Sequence, residues 1–238
     1  EFSEDGTTLV FRLRPGIRFS DGEPLTASDV VFTFRVLNDS GVASPLVDTA
    51  RIDGEPIVAE RVDDDTIAFR LPRRTAAVER IFDSIRILPE HRLEGFLSNG
   101  TLVSETGLAA SVSNIVGLGP FRLRDYQAGE RVLLERNPYY WRSEQQDVYP
   151  RLEGLAFEIV PDPSTRALRL SADEVDLLER ISPESFRALT SESHEWLRLE
   201  DLGPGMVSER LWFNLNPESP IEEYKKRWFA DARFRRAV

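Results

Sequence analysis

Short period-two hydrophobic runs alternate irregularly with helical ones along this chain, and neither pattern is sustained for long. Leu9, Phe11 and Leu13 fall on one side of a strand, and Pro15-Gly16 turns the chain. Ile17 and Phe19 begin a second short strand that Asp21-Gly22 stops. Thr26 and Asp29 then stand three apart, a capping arrangement in which Asp29 also suits the N-terminal dipole. Val30, Val31, Phe34 and Leu37 follow at helical spacing, and Asn38 to Gly41 ends that helix. Residues 57–62 and 66–71 read as a hairpin about Asp63-Asp64-Asp65, and 120–126 with 131–136 as another about Ala128-Gly129. Helices are expected over 76–87, 89–98 and from Asp162 to about Ala172. Two more start at Ser182, with Pro183 well placed in the first turn, and at Asp231. Strands are expected over 155–160, 175–178, 195–200 and 207–214. Hairpins mixed with helices in this way predict an α/β or α+β chain with a mixed sheet, not a doubly wound nucleotide fold.

Composition narrows the chemistry. The formal net charge is −11 and neither half of the chain is basic, which argues against a nucleic-acid partner. The absence of cysteine excludes disulfides, thiolate metal sites and a cysteine nucleophile. No apolar run approaches the roughly 18 residues of a membrane span. The only methionine is Met206 and no signal peptide is visible, so the chain is expected to be processed or cut from something longer.

Gly117-Leu118-Gly119-Pro120 is the one glycine-rich stretch that suggests phosphate binding. It lacks a third glycine, Pro120 removes an amide donor, and a strand rather than a helix follows, so a structural crossing is the better reading. Asp63 to Asp65 reads as a solvated turn, because consecutive carboxylates lack the spacing that makes metal ligands converge. His194-Glu195 is followed by Trp196-Leu197-Arg198, so no HExxH motif forms. Carboxylates are too numerous to exclude a hydrolytic pair and too scattered to locate one. Trp141, Trp196, Trp212 and Trp228, with Tyr139 and Tyr140, are large enough for core packing or for stacking on a ligand.

Four segments, taken together, resemble one family. Leu9 to Phe34 is similar to the LRxGVxFxDGxPxTAxDVxFx stretch of extracytoplasmic solute-binding proteins of the peptide/nickel class, family 5. Gly117 to Phe121 through Glu135 to Trp141 resembles its GTGPYxL…LxRNPxYW. Phe157 to Arg166 with Glu174-Val175-Asp176 resembles IPDxxTRxxALxxGEVD. Phe213 to Asn216 and Phe229 to Val238 resemble the FN…PFxDxRVRQAx segment that opens a long helix. There are departures: Asp173 stands where the family usually has glycine, Leu118 replaces a common threonine, and a charged stretch over 218–228 precedes the last helix.

The resemblance implies a periplasmic-binding-protein-like fold of class II with an incomplete two-lobe architecture. Residues 1–120 would form the smaller family-specific lobe and 121–238 a partial main lobe, truncated at its C-terminus. It implies the substrate-binding component of an ABC importer, in the periplasm or otherwise outside the membrane and attached to the cell envelope. Such a protein captures oligopeptides or dipeptides by lobe closure and hands them to permease subunits. Nickel chelates or oligosaccharides are lesser options. No catalytic residue, metal or cofactor is expected. Membrane association would be peripheral, through an anchor missing from this chain. The strand matching Arg210 to Asn216 reaches the cleft in the family, which makes Trp212, Asn214 and Asn216 the candidate ligand contacts. Turn and strand-end hydrogen bonding is the competing role for the two asparagines. A solute-sensing module of a regulator and a carboxylate-dependent hydrolase are the alternatives.

Overall fold

A computed structural model describes residues 3–76, 78–143, 149–192, 196–203 and 211–237. The chain divides into two compact units, Glu1–Pro161 and Asp162–Val238.

The first unit begins with β1 (Thr8–Arg12), which pairs antiparallel with β5 (Thr66–Arg70), the centre of a sheet ordered β1-β5-β4 with β4 at Val58–Arg61. Register sets Leu9 opposite Phe69 and Phe11 opposite Ile67. Helix α1 (Ala27–Asn38) lies on this sheet. Its Val30, Phe34 and Leu37 join Leu9, Ile57, Ile67 and Phe69 in one buried cluster. Its other side carries Phe32 and Val36 into a second cluster with Leu93 of α3 (Glu90–Ser98) and Leu102 of α4 (Leu102–Thr106). The helix is thus buried on both sides, which its sequence signals by runs such as Val30-Val31-Phe32 that leave little room for a polar face.

Asp29 holds this helix in place. Its Oδ2 accepts the Thr26 backbone N–H (2.9 Å) and the Thr26 hydroxyl (3.0 Å), and its Oδ1 accepts the Glu90 N–H at the start of α3 (2.9 Å). One buried carboxylate therefore serves the N-termini of two helices. Thr33 extends the link: its hydroxyl donates to the Asp29 carbonyl (2.7 Å) and accepts the Leu88 N–H (2.8 Å).

A two-stranded ribbon of β2 (Arg51–Ile52) and β3 (Glu55–Pro56) follows a 3-10 turn at Val47–Ala50. The helix expected over 76–87 is only α2, Glu79–Phe82. Ile81, Phe82, Ile85 and Ile87 all pack on the α1–sheet cluster, so tertiary packing overrides the helical spacing there. Residues 17 and 19 form no strand beyond one bridge, Arg18 to Pro24. Asp63 to Asp65 is the expected turn, with Asp63 Oδ1 accepting the Asp65 N–H (3.0 Å) and Asp65 paired with Arg12 (3.1 Å).

Strands β6 (Phe121–Gln127), β7 (Arg131–Arg136) and β8 (Gly154–Glu158) form a second antiparallel sheet in that order, with a bulge between Leu123 and Asp125. The Gly117 stretch leads straight into β6. Ser20 N–H donates to the Gly117 carbonyl (2.9 Å), and Arg122 bonds Glu135 (2.7 Å) while reaching the Ser20 carbonyl (3.4 Å).

The second unit contains α5 (Pro163–Ser171), α6 (Pro183–Glu192), α7 (Glu223–Ala230) and α8 (Ala232–Ala237). Asp162 caps α5 by accepting the Thr165 N–H (2.7 Å). The charged stretch over 218–228 holds the first six residues of α7, a helix its charges conceal. Neither 175–178 nor 196–200 forms a strand; residue 195 lies outside the described residues. Leu197 and Leu199 still pack on Ala167, Leu170 and Leu189, so their alternation reports a buried side and not a paired strand.

Asp29→Ala is expected to cost about 2–4 kcal/mol, because it strands the N-terminal amides of two helices in a buried setting. Denaturant melts should show a lower midpoint with an unchanged slope. Asp21 sits 2.9 Å from His91 Nε2. Partial burial pushes its carboxyl up, but the His91 hydrogen bond, the Glu23 N–H and the His91 charge together hold it below the usual range. Its stabilisation is therefore complete above the unfolded carboxylate value, about 3.9, and is lost as pH falls through the lower folded value. Asp21→Asn should remove that component from a series of melts across acid pH.

Candidate functional site

An open cleft of about 1490 Å³ lies in the unit Asp162–Val238, lined by the end of α5, the segment 175–181, the start of α6 and the segment 196–203. Its apolar lining includes Leu170, Val175, Leu178, Ile181 and Phe186, with Trp196, Leu197 and Leu199. Charges of both signs line it as well, including Asp176, Arg187 and Arg198, the last paired with Glu200.

The cleft depends on how α5 ends. Asp173 adopts φ +57°, its N–H donates to Leu170 O (3.1 Å), and the Glu174 N–H reaches back to Arg169 O (3.0 Å). This is a Schellman closure, and its left-handed position is the one glycine fills without strain. The physical meaning of the departure at Asp173 is thus visible: the glycine of the motif it resembles would meet a backbone requirement, and aspartate is among the few other residues that tolerate it. Arg169 Nε bonds Glu174 Oε2 (3.0 Å) across the same closure. The turn sends Val175 and Leu178 onto the α5–α6 core.

Trp212, Asn214 and Asn216 do not line this cleft. They lie on the segment before α7, where residues 211–214 form no strand; 207–210 lie outside the described residues. Trp212 is 79% exposed. Both asparagines are exposed and use their side chains locally, Asn214 Oδ1 accepting the Asn216 N–H (3.0 Å) and Asn216 Oδ1 the Glu218 N–H (2.9 Å). These are Asx turns, the competing role recognised from sequence. What the three residues still present to solvent is one indole face and two amide N–H₂ groups. Between them Phe213 packs inward on Phe229 and Phe234, at ring-centroid distances of 5.4 and 5.8 Å, and so anchors the segment. Of the cleft residues, sequence reasoning weighed only Trp196 for stacking on a ligand, although Glu174-Val175-Asp176 marks the position of others in the chain.

The family model for bacterial extracellular solute-binding proteins, family 5 (middle), matches residues 1–238. The chain belongs to that family. It is 27% identical over 243 residues to the dipeptide-binding protein of Escherichia coli K12, covering 95% of this chain and 43% of that protein. It is 29% identical over 209 residues to the periplasmic oligopeptide-binding protein OppA of Haemophilus influenzae, covering 81% and 36%. Among solved structures, a peptide-binding protein AppA from Clostridium difficile superposes with a TM-score of 0.65 at 27% identity, over 79% of this chain and 36% of that one. The fold is the mixed α/β fold of these binding proteins, and the chain spans well under half the length of the relatives it matches. Among the described residues, no helix is long and apolar enough to cross a membrane.

Asp173→Gly should raise stability by about 0.5–1 kcal/mol by relieving the left-handed strain, and Asp173→Val should lower it by more. Paired thermal melts check both.

Proposed function

We propose that this chain is part of the substrate-binding component of an ABC importer, which captures oligopeptides or dipeptides outside the cytoplasmic membrane and does no covalent chemistry. The observation that carries this reading is the family match along residues 1–238, together with relatives named for dipeptide and oligopeptide binding. The whole protein would be periplasmic or attached to the cell envelope, and would deliver its cargo to permease subunits. Capture would proceed by closure of two lobes.

Residues 1–120 are assigned to the smaller lobe and 121–238 to part of the main one, although residues 121–161 form one compact unit with 1–120, so this lobe boundary is not where the chain divides. In support, every residue of the two buried clusters built on α1 precedes Thr106. The sheet β6-β7-β8, by contrast, contributes no fully buried hydrophobic residue among those described. A sheet with so little core of its own suits a lobe assembled from more chain than this. Trp212, Asn214 and Asn216 are assigned as ligand contacts. The exposed indole would stack on a peptide side chain, and the amides would donate to peptide carbonyls.

A thermal-shift screen of the complete protein against di- to pentapeptides, nickel chelates and oligosaccharides tests this. A peptide at one hundred times its dissociation constant should stabilise the fold by about 2.7 kcal/mol. No shift with any peptide, from a protein shown to be folded, would sink the reading. Trp212→Ala should weaken peptide binding about tenfold with little change in melting temperature. Asn214→Ala and Asn216→Ala should each weaken it less, since their Oδ1 atoms already serve turns. Titration calorimetry would measure all three.

A further inference from the structure

Two arginines and a set of aromatic rings meet in a pocket of about 270 Å³ within the unit Glu1–Pro161. One wall is the turn after β1, with Arg14 and Arg18; the other is the segment after β7, with Tyr139, Trp141 and Ser143. Gly16, at φ +77°, bends the chain between the two arginines, so both line the same pocket. The Arg14 guanidinium carbon lies 4.3 Å from the Trp141 ring centroid. A guanidinium over an aromatic face keeps its in-plane N–H groups for other partners.

The walls are held from behind. Arg18 Nη1 donates to the Gly22 carbonyl (2.9 Å). A Cβ on Gly22 would come within 3.1 Å of the Tyr139 ring, so glycine lets Tyr139 close against the turn. Asn137 is fully buried, its Oδ1 accepts the Tyr139 N–H (3.0 Å) and its Nδ2 donates to Gly119 O (2.8 Å). Two segments far apart in sequence are therefore fixed facing one another before any ligand arrives, which lowers the ordering cost of binding.

No carboxylate is among the described residues that line this pocket, in a chain of net charge −11. Two arginines line the same pocket, and an oxyanion that both guanidiniums reach would be held by both charges. Their forks match the geometry of phosphate oxygens, and the Ser143 and Tyr139 hydroxyls add donors. We propose that this pocket binds a phosphate-type oxyanion, carried either by a free phosphomonoester or by a phospholipid whose headgroup is itself a phosphomonoester. A monoester dianion balances both arginines, whereas a single carboxylate leaves one positive charge uncompensated. The volume is near the lower end for small-ligand pockets, enough for a phosphate with a short attached group.

The test uses the complete protein and Trp141 fluorescence, with Trp141→Phe to assign the signal. Inorganic phosphate and glycerol 3-phosphate are titrated at constant ionic strength, with chloride as the control. Flotation with vesicles that contain phosphatidic acid, against phosphatidylcholine alone, forms the second arm. Saturable binding with a dissociation constant of about 1 mM or tighter is expected in one arm. Arg14→Gln and Arg18→Gln should each weaken it about tenfold, and Arg14→Lys, which keeps the charge but not the fork, should weaken it nearly as much. Binding of the free ester identifies a soluble source, and binding only to anionic vesicles identifies the headgroup. No saturable binding in either arm, or binding unchanged in the Arg14→Gln/Arg18→Gln double variant, overturns the proposal. Peptide binding by the same variants is measured alongside. Because Trp212, Asn214 and Asn216 belong to the other unit, failure here leaves the peptide reading standing, and loss of peptide binding there leaves this one standing.

Discussion

Burial of α1 on both sides is the constraint on which the first unit depends. A helix set between a sheet and two further helices has almost no solvated face, so its position must be specified by something other than hydrophobicity, which is non-directional. Asp29 supplies that specification. Its two oxygens address the first turn of α1 and the first turn of α3, so the register of one helix fixes that of the other. Thr33, one turn further on, repeats the tie to Leu88 and closes the gap between them. The aromatic group of Phe11, Phe34, Phe69 and Phe82 then fills the sheet side, with ring centroids 4.6 to 6.0 Å apart. Such rings prefer tilted and edge-on contacts, and these are the arrangements observed.

Much of this was legible in the residues. The Thr26–Asp29 spacing located the α1 start, and the alternation of Leu9, Phe11 and Leu13 located β1. What was not legible has physical causes. Ile81, Phe82, Ile85 and Ile87 are spaced like one helix, but only Ile81 and Phe82 lie in α2, while all four pack on the same cluster. Residues 197 to 199 alternate like a strand without a ladder partner among the described residues. In both places periodicity correctly reported which side chains are buried and said nothing about how the backbone is hydrogen-bonded. The α7 helix shows the converse, because its i,i+3 pairs Glu222–Lys225 and Glu223–Lys226 (2.8 Å each) support a helix whose composition looks like a loop.

The candidate site divides along the same line. The resemblance rests on residues that build turns and caps, and the structure gives several of them that work. Asn137 seats Tyr139, and Asp162 caps α5. The position of Asp173 requires a left-handed backbone. A motif made of such residues identifies a scaffold reliably and a ligand hardly at all. Asn214 and Asn216 show why: the property that makes asparagine a good ligand contact, an amide with two donors and an acceptor, also makes it a good turn residue, and the turn takes the acceptor first.

The acidic residues complete this picture and bear on function. Asp5, Asp21, Asp39, Asp63, Asp162, Asp201 and Asp231 each accept a backbone N–H two or three residues ahead. In Asp5, Asp162 and Asp231 the consequence is a lowered carboxyl. The Ser3 hydroxyl and the Thr7 N–H hold Asp5 at about 2. The Thr165 hydroxyl and N–H lower Asp162, and Arg233 lowers Asp231. A general acid at neutral pH needs the opposite displacement, a carboxyl raised by burial or by a like charge. Carboxylates bonded in this way are fastened to the backbone as anions and build turns rather than move protons. These seven aspartates therefore serve the fold and the negative charge of the chain together.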